Sequence, residues 1–346
     1  MVNTTKTTNL QTKVTKILNY SFNLNSIKIS PENQFVKWQN KKIILGKLNP
    51  NIDDFDDLIY ASKIIKNVII PLNIKKIGSF CFYNCEILRT IKIPPHVTNI
   101  GESAFYSCYN LREVIFLENS ELQTIGKNAF RCTLIESITI PPHVTDICDY
   151  AFSSCKNLRE VIFSDNSELK IIGCDAFSCT LIESITIPPH VADISNHAFS
   201  SCKNLREVIF SDDSELKIIE SDAFSCTLIE SITIPPHVTT IYYNAFSSCK
   251  NLREVIFSEN SKLDMIQYIY SGAFDYTHIE RMILPSHLYM VLYRNSNECC
   301  FKNIPRLIFS DNCELQIKKE ASSDSLFKSI TVPPDCTSFS RDLIHE

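Results

Sequence analysis

Four histidines, His96, His143, His190 and His237, each follow a pair of prolines and recur every 47 residues, and His287 falls at the corresponding point further on. Imidazole nitrogens are common zinc ligands, so the series raises the question of a metal centre. Fifteen cysteines raise it again. Eight of them, Cys85, Cys108, Cys132, Cys155, Cys179, Cys202, Cys226 and Cys249, stand one per repeat at what reads as an equivalent position. Serines cluster beside them in stretches such as Ala151-Phe152-Ser153-Ser154-Cys155, where a nucleophile could be imagined. The spacing argues against all three chemistries. Zinc sites use paired ligands such as C-x2-C, which are absent, and Cys299-Cys300 is an irregular pair. Histidines one repeat apart in such an array sit roughly 10 Å apart, too far to share an ion. His197 stands alone. A catalytic group is normally a single exception, whereas these residues return in every unit. Nucleotide-binding, metalloprotease and nucleophile-elbow motifs do not occur either. The reading is therefore a non-enzyme with no catalytic residue, cofactor or metal, whose thiols are reduced and act as small buried hydrophobes.

The elements that carry these residues form a repeat. The segment from Ile140 to Thr186 returns almost intact from Ile187 to Thr233. Each 47-residue unit has two similar halves, one ending Leu-Arg-Glu-Val-Ile-Phe and the other Ile-Glu-Ser-Ile-Thr-Ile. Their last residues are Ile70, Ile93, Phe116, Ile140, Phe163, Ile187, Phe210, Ile234, Phe257, Leu284, Phe309 and Val332, in steps of 23 or 24 as far as Phe257. Within one half, Val161 and Phe163 are two apart and share one face of a strand. Leu169, Ile172, Ala176 and Phe177 continue the apolar series round the coil. Only stacking on neighbouring coils can bury such groups. The spacing predicts a β-rich right-handed coil of about twelve turns, with one parallel sheet face and turns or short helices on the other side. A ladder of Phe82, Phe105, Phe130, Phe152, Phe177, Phe199, Phe224, Phe246 and Phe274 should line the far wall. Pro188-Pro189 follow their strand where a missing N–H matters least.

Residues 1–19 read as disordered, 20–66 as an irregular N-terminal cap, 67–334 as the repeats with an irregular stretch at 265–305, and 335–346 as a tail. The last coil lacks a recognisable cap, which leaves end-to-end self-association as a structural-scaffold alternative. The net charge of −5 offers no footprint for nucleic acid. No apolar run reaches 18 residues and no signal-like segment starts the chain, so no membrane insertion is expected and the cytosol is the default location.

Outward strand positions define the candidate binding face. The first column reads Arg112, Glu136, Arg159, Glu183, Arg206, Glu230, Arg253 and Glu280, alternating in sign along the stack. The second places serines between glutamates, from Glu113 and Ser137 onward. The third alternates Ile162, Thr186, Ile209 and Thr233. Such a surface either stabilises the array or recognises a partner, and near-identical units favour a repetitive or multivalent one.

Ile140, Pro141, Val144, Ile147, Ala151, Phe152, Cys155, Leu158, Val161 and Phe163 resemble, position by position, the BspA-like leucine-rich repeat, over roughly residues 57–334. The resemblance implies a leucine-rich-repeat solenoid used in cell-surface adhesion and protein–protein contact, with a host or self surface protein as partner.

Overall fold

The computed structural model describes residues 68–258, 261, 269–270 and 272–284. It also describes the strands Asn33–Gln39, Lys42–Leu48, Phe55–Ala61, Arg306–Phe309 and Ser329–Thr331. The segments read as a disordered start and a C-terminal tail lie outside these residues, as do His287, Cys299, Cys300 and most of 265–305.

A front row of four-residue strands stands where the apolar alternation predicts it. These are Thr90–Ile93, Glu113–Phe116, Ser137–Ile140, Glu160–Phe163, Ser184–Ile187, Glu207–Phe210, Ser231–Ile234, Glu254–Phe257 and Arg281–Leu284. In Ser137–Ile140 the isoleucines are buried while Ser137 and Thr139 are exposed, which is the period-two pattern of a strand with one face on a core. Among the described residues the solenoid thus has about nine turns, where the spacing predicted about twelve. Ile70 is buried but lies in no strand. Of the turns expected at Phe309 and Val332, the described part is the strand pair Arg306–Phe309 and Ser329–Thr331, which continues the row in parallel.

Opposite the front row lies a second parallel ladder, with one two-residue strand per coil from Lys76–Ile77 to Thr240–Ile241. Phe55–Ala61 pairs in parallel onto Lys76–Ile77 and antiparallel onto Lys42–Leu48, completing a sheet of eleven described strands. The far side therefore carries this ladder and turns; among the described residues there is no helix. The reason is local. Two residues before and two after each ladder phenylalanine, the backbone is left-handed, for example Asp175 (φ 54°) and Cys179 (φ 58°) around Phe177. Left-handed residues four apart cannot propagate a right-handed helix. At Gly272 (φ 73°) a glycine takes one of these corners.

The core is one residue layer deep per coil. Phe82 through Phe246 are wholly buried at successive coils, and Phe274 extends the series. Neighbouring rings lie 4.9–5.4 Å apart between centroids with planes within 2–9° of parallel. Those separations exceed a ring's contact thickness, so the rings are offset, the favoured arrangement. Each coil also ties its backbone to the next: Phe177 N–H donates to Ala198 O at 2.8 Å, and Phe199 N–H to Ala223 O at 2.8 Å. Buried peptide groups are thereby satisfied without helix or long strand.

Candidate binding face

The packed inner residues hold the outward ones in place. Arg112, Glu136, Arg159, Glu183, Arg206, Glu230 and Arg253 are exposed, as are Thr186 and Thr233. Ile162 and Ile209 keep 45% and 43% of their surface in solvent.

The charged column is directional. Arg112 Nη1 donates to Glu136 Oε1 at 2.7 Å, Arg159 to Glu183 at 3.2 Å and Arg206 to Glu230 at 3.1 Å, while Arg253 Nε lies 3.7 Å from Glu280. Among the described residues, each arginine takes the glutamate of the following coil. Toward the preceding coil, Arg159 offers its backbone N–H to Glu136 O at 2.9 Å. The column is a set of discrete pairs where the alternation suggested a continuous run. About half exposed, each contributes roughly 0–1 kcal/mol.

The front row has a feature that the sequence reading missed. The front strands are not one sheet. Ladders join Thr90–Ile93 to Glu113–Phe116, Ser137–Ile140 to Glu160–Phe163, Ser184–Ile187 to Glu207–Phe210, and Ser231–Ile234 through Glu254–Phe257 to Arg281–Leu284. No ladder crosses from Glu113–Phe116 to Ser137–Ile140, from Glu160–Phe163 to Ser184–Ile187, or from Glu207–Phe210 to Ser231–Ile234. Backbone contact there ends at Glu136 N to Arg112 O (3.2 Å), Glu183 N to Arg159 O (3.3 Å) and Glu230 N to Arg206 O (3.3 Å). Three of the ion pairs bridge these same junctions, while Arg253–Glu280 spans a laddered one.

Turn length accounts for the openings. The open junctions are those where the step is 24 residues, and the laddered ones up to Phe257 have 23. The next inward residue, Leu169, comes six positions after Phe163, but Val191 comes four after Ile187. The two coil types therefore leave the front row differently and cannot stay in register along its whole length. Burial tracks the openings. Phe116, Phe163 and Phe210, beside them, are partly exposed, whereas Phe257, laddered on both sides, is 2% exposed. At the third opening lies a cleft of about 520 Å³ lined by Glu207 to Asp212, Ser231, Thr233, Pro235, Pro236 and Ser258. The alternation of 23 and 24 was the available signal.

The cysteines need a correction. Cys85, Cys108, Cys155, Cys202 and Cys249 stand three residues after a ladder phenylalanine and are buried. In the other coils that place belongs to Thr133, Thr180 and Thr227, each 1% exposed, and to the half-buried Thr277. Cys132, Cys179 and Cys226 come one residue earlier, at the left-handed corner, half-buried in the first case and exposed in the other two. They are not equivalent to the buried set, because the phenylalanines and not the cysteines fix the register. Cys202 Sγ donates to Phe177 O at 3.2 Å and lies 3.2 Å from Thr180 Oγ1. Burial pushes Cys155 and Cys202 up to about 12 and Cys249 up to about 11, the reverse of an activated thiolate.

The histidine series meets carboxylates singly. His96, His143 and His190 lie 3.0, 3.1 and 3.3 Å from Glu121, Glu168 and Glu215, and His237 Nδ1 lies 3.0 Å from Ser214 O. Among the described residues, no three His, Cys, Asp or Glu side chains converge on one point.

The profile of the BspA type leucine-rich repeat region matches the chain in six copies, over residues 54–178, 170–307 and 264–345. No curated protein matches. Among solved structures, a leucine-rich repeat protein from Bacteroides ovatus is similar at 21% identity and a TM-score of 0.54, covering 89% of this chain and 83% of that one. A leucine rich cell surface protein from Faecalibacterium prausnitzii is similar at 21% identity and a TM-score of 0.41, covering 83% and 89%. The leucine-rich repeat protein of T. pallidum gives 22% and 0.46, covering 66% and 91%. The Bacteroides likeness bears on fold alone. Repeat matches running from residue 54 to residue 345 bear on descent: the chain belongs to the BspA type leucine-rich repeat family.

Proposed function

We propose that the protein is a non-enzymatic interaction or adhesion module that binds other proteins through its front face. The observation that carries this reading is the exposure of Ile162 and Ile209 on that face, each beside an ion pair and held by a fully packed core. Exposed aliphatic groups at a fixed period, ringed by charge, suit recognition of a protein surface. Membership of a repeat family supports it, since stacked repeats give extended surfaces that tolerate variation in outward residues. Equivalent sites two coils apart would engage a partner with repeated features more strongly than one site alone.

The test selects binders from a phage library of protein fragments on the intact chain. Their affinity is then measured for a variant carrying Arg159→Glu, Arg206→Glu and Arg253→Glu. At least a tenfold loss is expected. Unchanged affinity, with circular dichroism showing an intact fold, would remove the front face from the reading.

A further inference from the structure

We propose that the front face is a docking surface for basic segments in the polyproline II conformation, laid along the stack with every third side chain in step with the two-coil repeat. This rests on the front face being the binding surface and names the chemistry of its partner.

Relief supplies the first argument. Exposed Glu160 and Ile162 stand two residues apart on one strand and so share its outer face, and Glu207 and Ile209 do the same two coils on. On the strand between them the same positions hold the short, exposed Ser184 and Thr186. Ser137 with Thr139, and Ser231 with Thr233, repeat the low coil. The face is therefore corrugated, with one ridge and one furrow in each two-coil unit. The cleft described above lies over one furrow, lined by Glu207 and Ile209 and by Ser231 and Thr233.

The period supplies the second. Neighbouring strands repeat at about 4.8 Å, so ridges recur about every 9.6 Å. The open junctions keep that step, because the N–H groups of Glu136, Glu183 and Glu230 still donate to arginine carbonyls of the preceding coil. A polyproline II chain turns once in three residues and returns a side chain to the same row about every 9.3 Å. A β-strand returns one about every 6.7 Å, and a heptad helix about every 10.5 Å. From Ile115 to Ile256, three units along, the polyproline mismatch grows to about 1 Å and the helical one to about 3 Å. Only the first keeps step. Such a chain has no internal hydrogen bonds, so furrow hydroxyls can donate to its carbonyls.

Charge supplies the third. Arg112, Arg159 and Arg206 are held by glutamates of the following coil, whereas among the described residues Glu113, Glu160 and Glu207 have no ion pair. A row of lysine or arginine meets these carboxylates, while a row of apolar side chains packs beside Ile162 and Ile209. The array contains its own contrast. Glu254 pairs with Arg281, which together with Ile283 stands where a furrow coil has serine and threonine. Relief and unneutralised acid end together there.

The experiment measures anisotropy of a fluorescein-labelled peptide of four Lys-Val-Pro triplets on the full chain. Two analogues are compared: one of the same composition with its residues shuffled out of the three-residue period, and one with glutamate for lysine. The parent should bind, the shuffled peptide at least fivefold more weakly and the glutamate peptide at least tenfold more weakly. A chain carrying Glu113→Gln, Glu160→Gln and Glu207→Gln, all at exposed positions, should lose affinity several-fold for the parent. Ser184→Arg, which fills one furrow with a cation as Arg281 does, should weaken it as well. Equal binding of the shuffled peptide would overturn the three-residue period, and equal binding of the glutamate peptide would overturn the basic partner. Tighter binding of a helical peptide with lysine and valine at heptad spacing would assign the face to helices and overturn the polyproline form. Should any of these occur while the phage-selected fragments remain sensitive to the arginine reversals, the interaction reading survives and the docking assignment falls. Indifference in both experiments removes both.

Discussion

Two kinds of residue in each coil show what stacking demands of chemistry. Three places after each ladder phenylalanine from Phe82 to Phe246 the site is closed to water, and either cysteine or threonine fills it. The two share a small volume and a donor that reaches a neighbouring phenylalanine carbonyl, as Cys202 does to Phe177 O and Thr180 does to the same atom. Thiol reagents should therefore modify Cys179 and Cys226 within minutes in the folded chain, and Cys155, Cys202 and Cys249 only on unfolding. Mass spectrometry of pulse-labelled protein reads this directly. The buried thiols also set a pH dependence. Their folded values lie above the ordinary thiol value near 9, so below that pH both states keep the proton and stability is unaffected. As pH climbs from about 9 toward 11–12, the unfolded chain ionises first and stability is lost. Urea midpoints at pH 8 and pH 10.5 should show the fall, and Cys202→Thr, borrowing the side chain of the alternate coil, should reduce it. The left-handed corners carry a separate cost, since a residue with a Cβ is disfavoured there. Cys226→Gly, at an exposed corner, should raise stability by about 0.5–1 kcal/mol in a denaturant titration.

At the scale of the element, the phenylalanine ladder and the front strands respond differently to truncation. Phe177→Ala removes a wholly buried ring from between two stacked neighbours and should cost about 3–5 kcal/mol. Phe163→Ala, beside an opening, should cost clearly less, because part of its surface is already in water. Paired thermal melts distinguish the two. The ladder was readable because Ala-Phe recurs unchanged from Phe105 onward and its burial needs no knowledge of the turns. The front strands were readable from the two-residue spacing of Val161 and Phe163. The back ladder was not: Ile171–Ile172 and Asp193–Ile194 are too short to display an alternation. Cys179 misled because its chemistry drew the alignment one residue away from the position that packing uses. The openings escaped notice because they depend on how two unlike turns meet in space, with a single residue of step length as their trace.

For the whole molecule, the natural module is the pair of coils. Deleting residues 188–234 removes one complete unit and brings Ile187 up to Pro235, a join the chain already uses. That shortened array should fold, with a modestly lower melting temperature. Deleting 188–210 removes a single coil, sets Ser184–Ile187 one coil before Ser231–Ile234, and brings Glu183 beside Glu230. It should melt far lower, as circular dichroism would show. The same pairing has a mechanical side. Tension applied along the stack loads every junction in series, and coils joined by a front ladder as well as by the back ladder, the ring stack and the corner hydrogen bonds resist peeling along more of their length than coils that lack the front ladder. The openings then act as perforations. An array pulled from its ends should lengthen in jumps of 47 residues, each releasing about 160 Å of chain, so that two coils tear away together while the pairs between perforations hold.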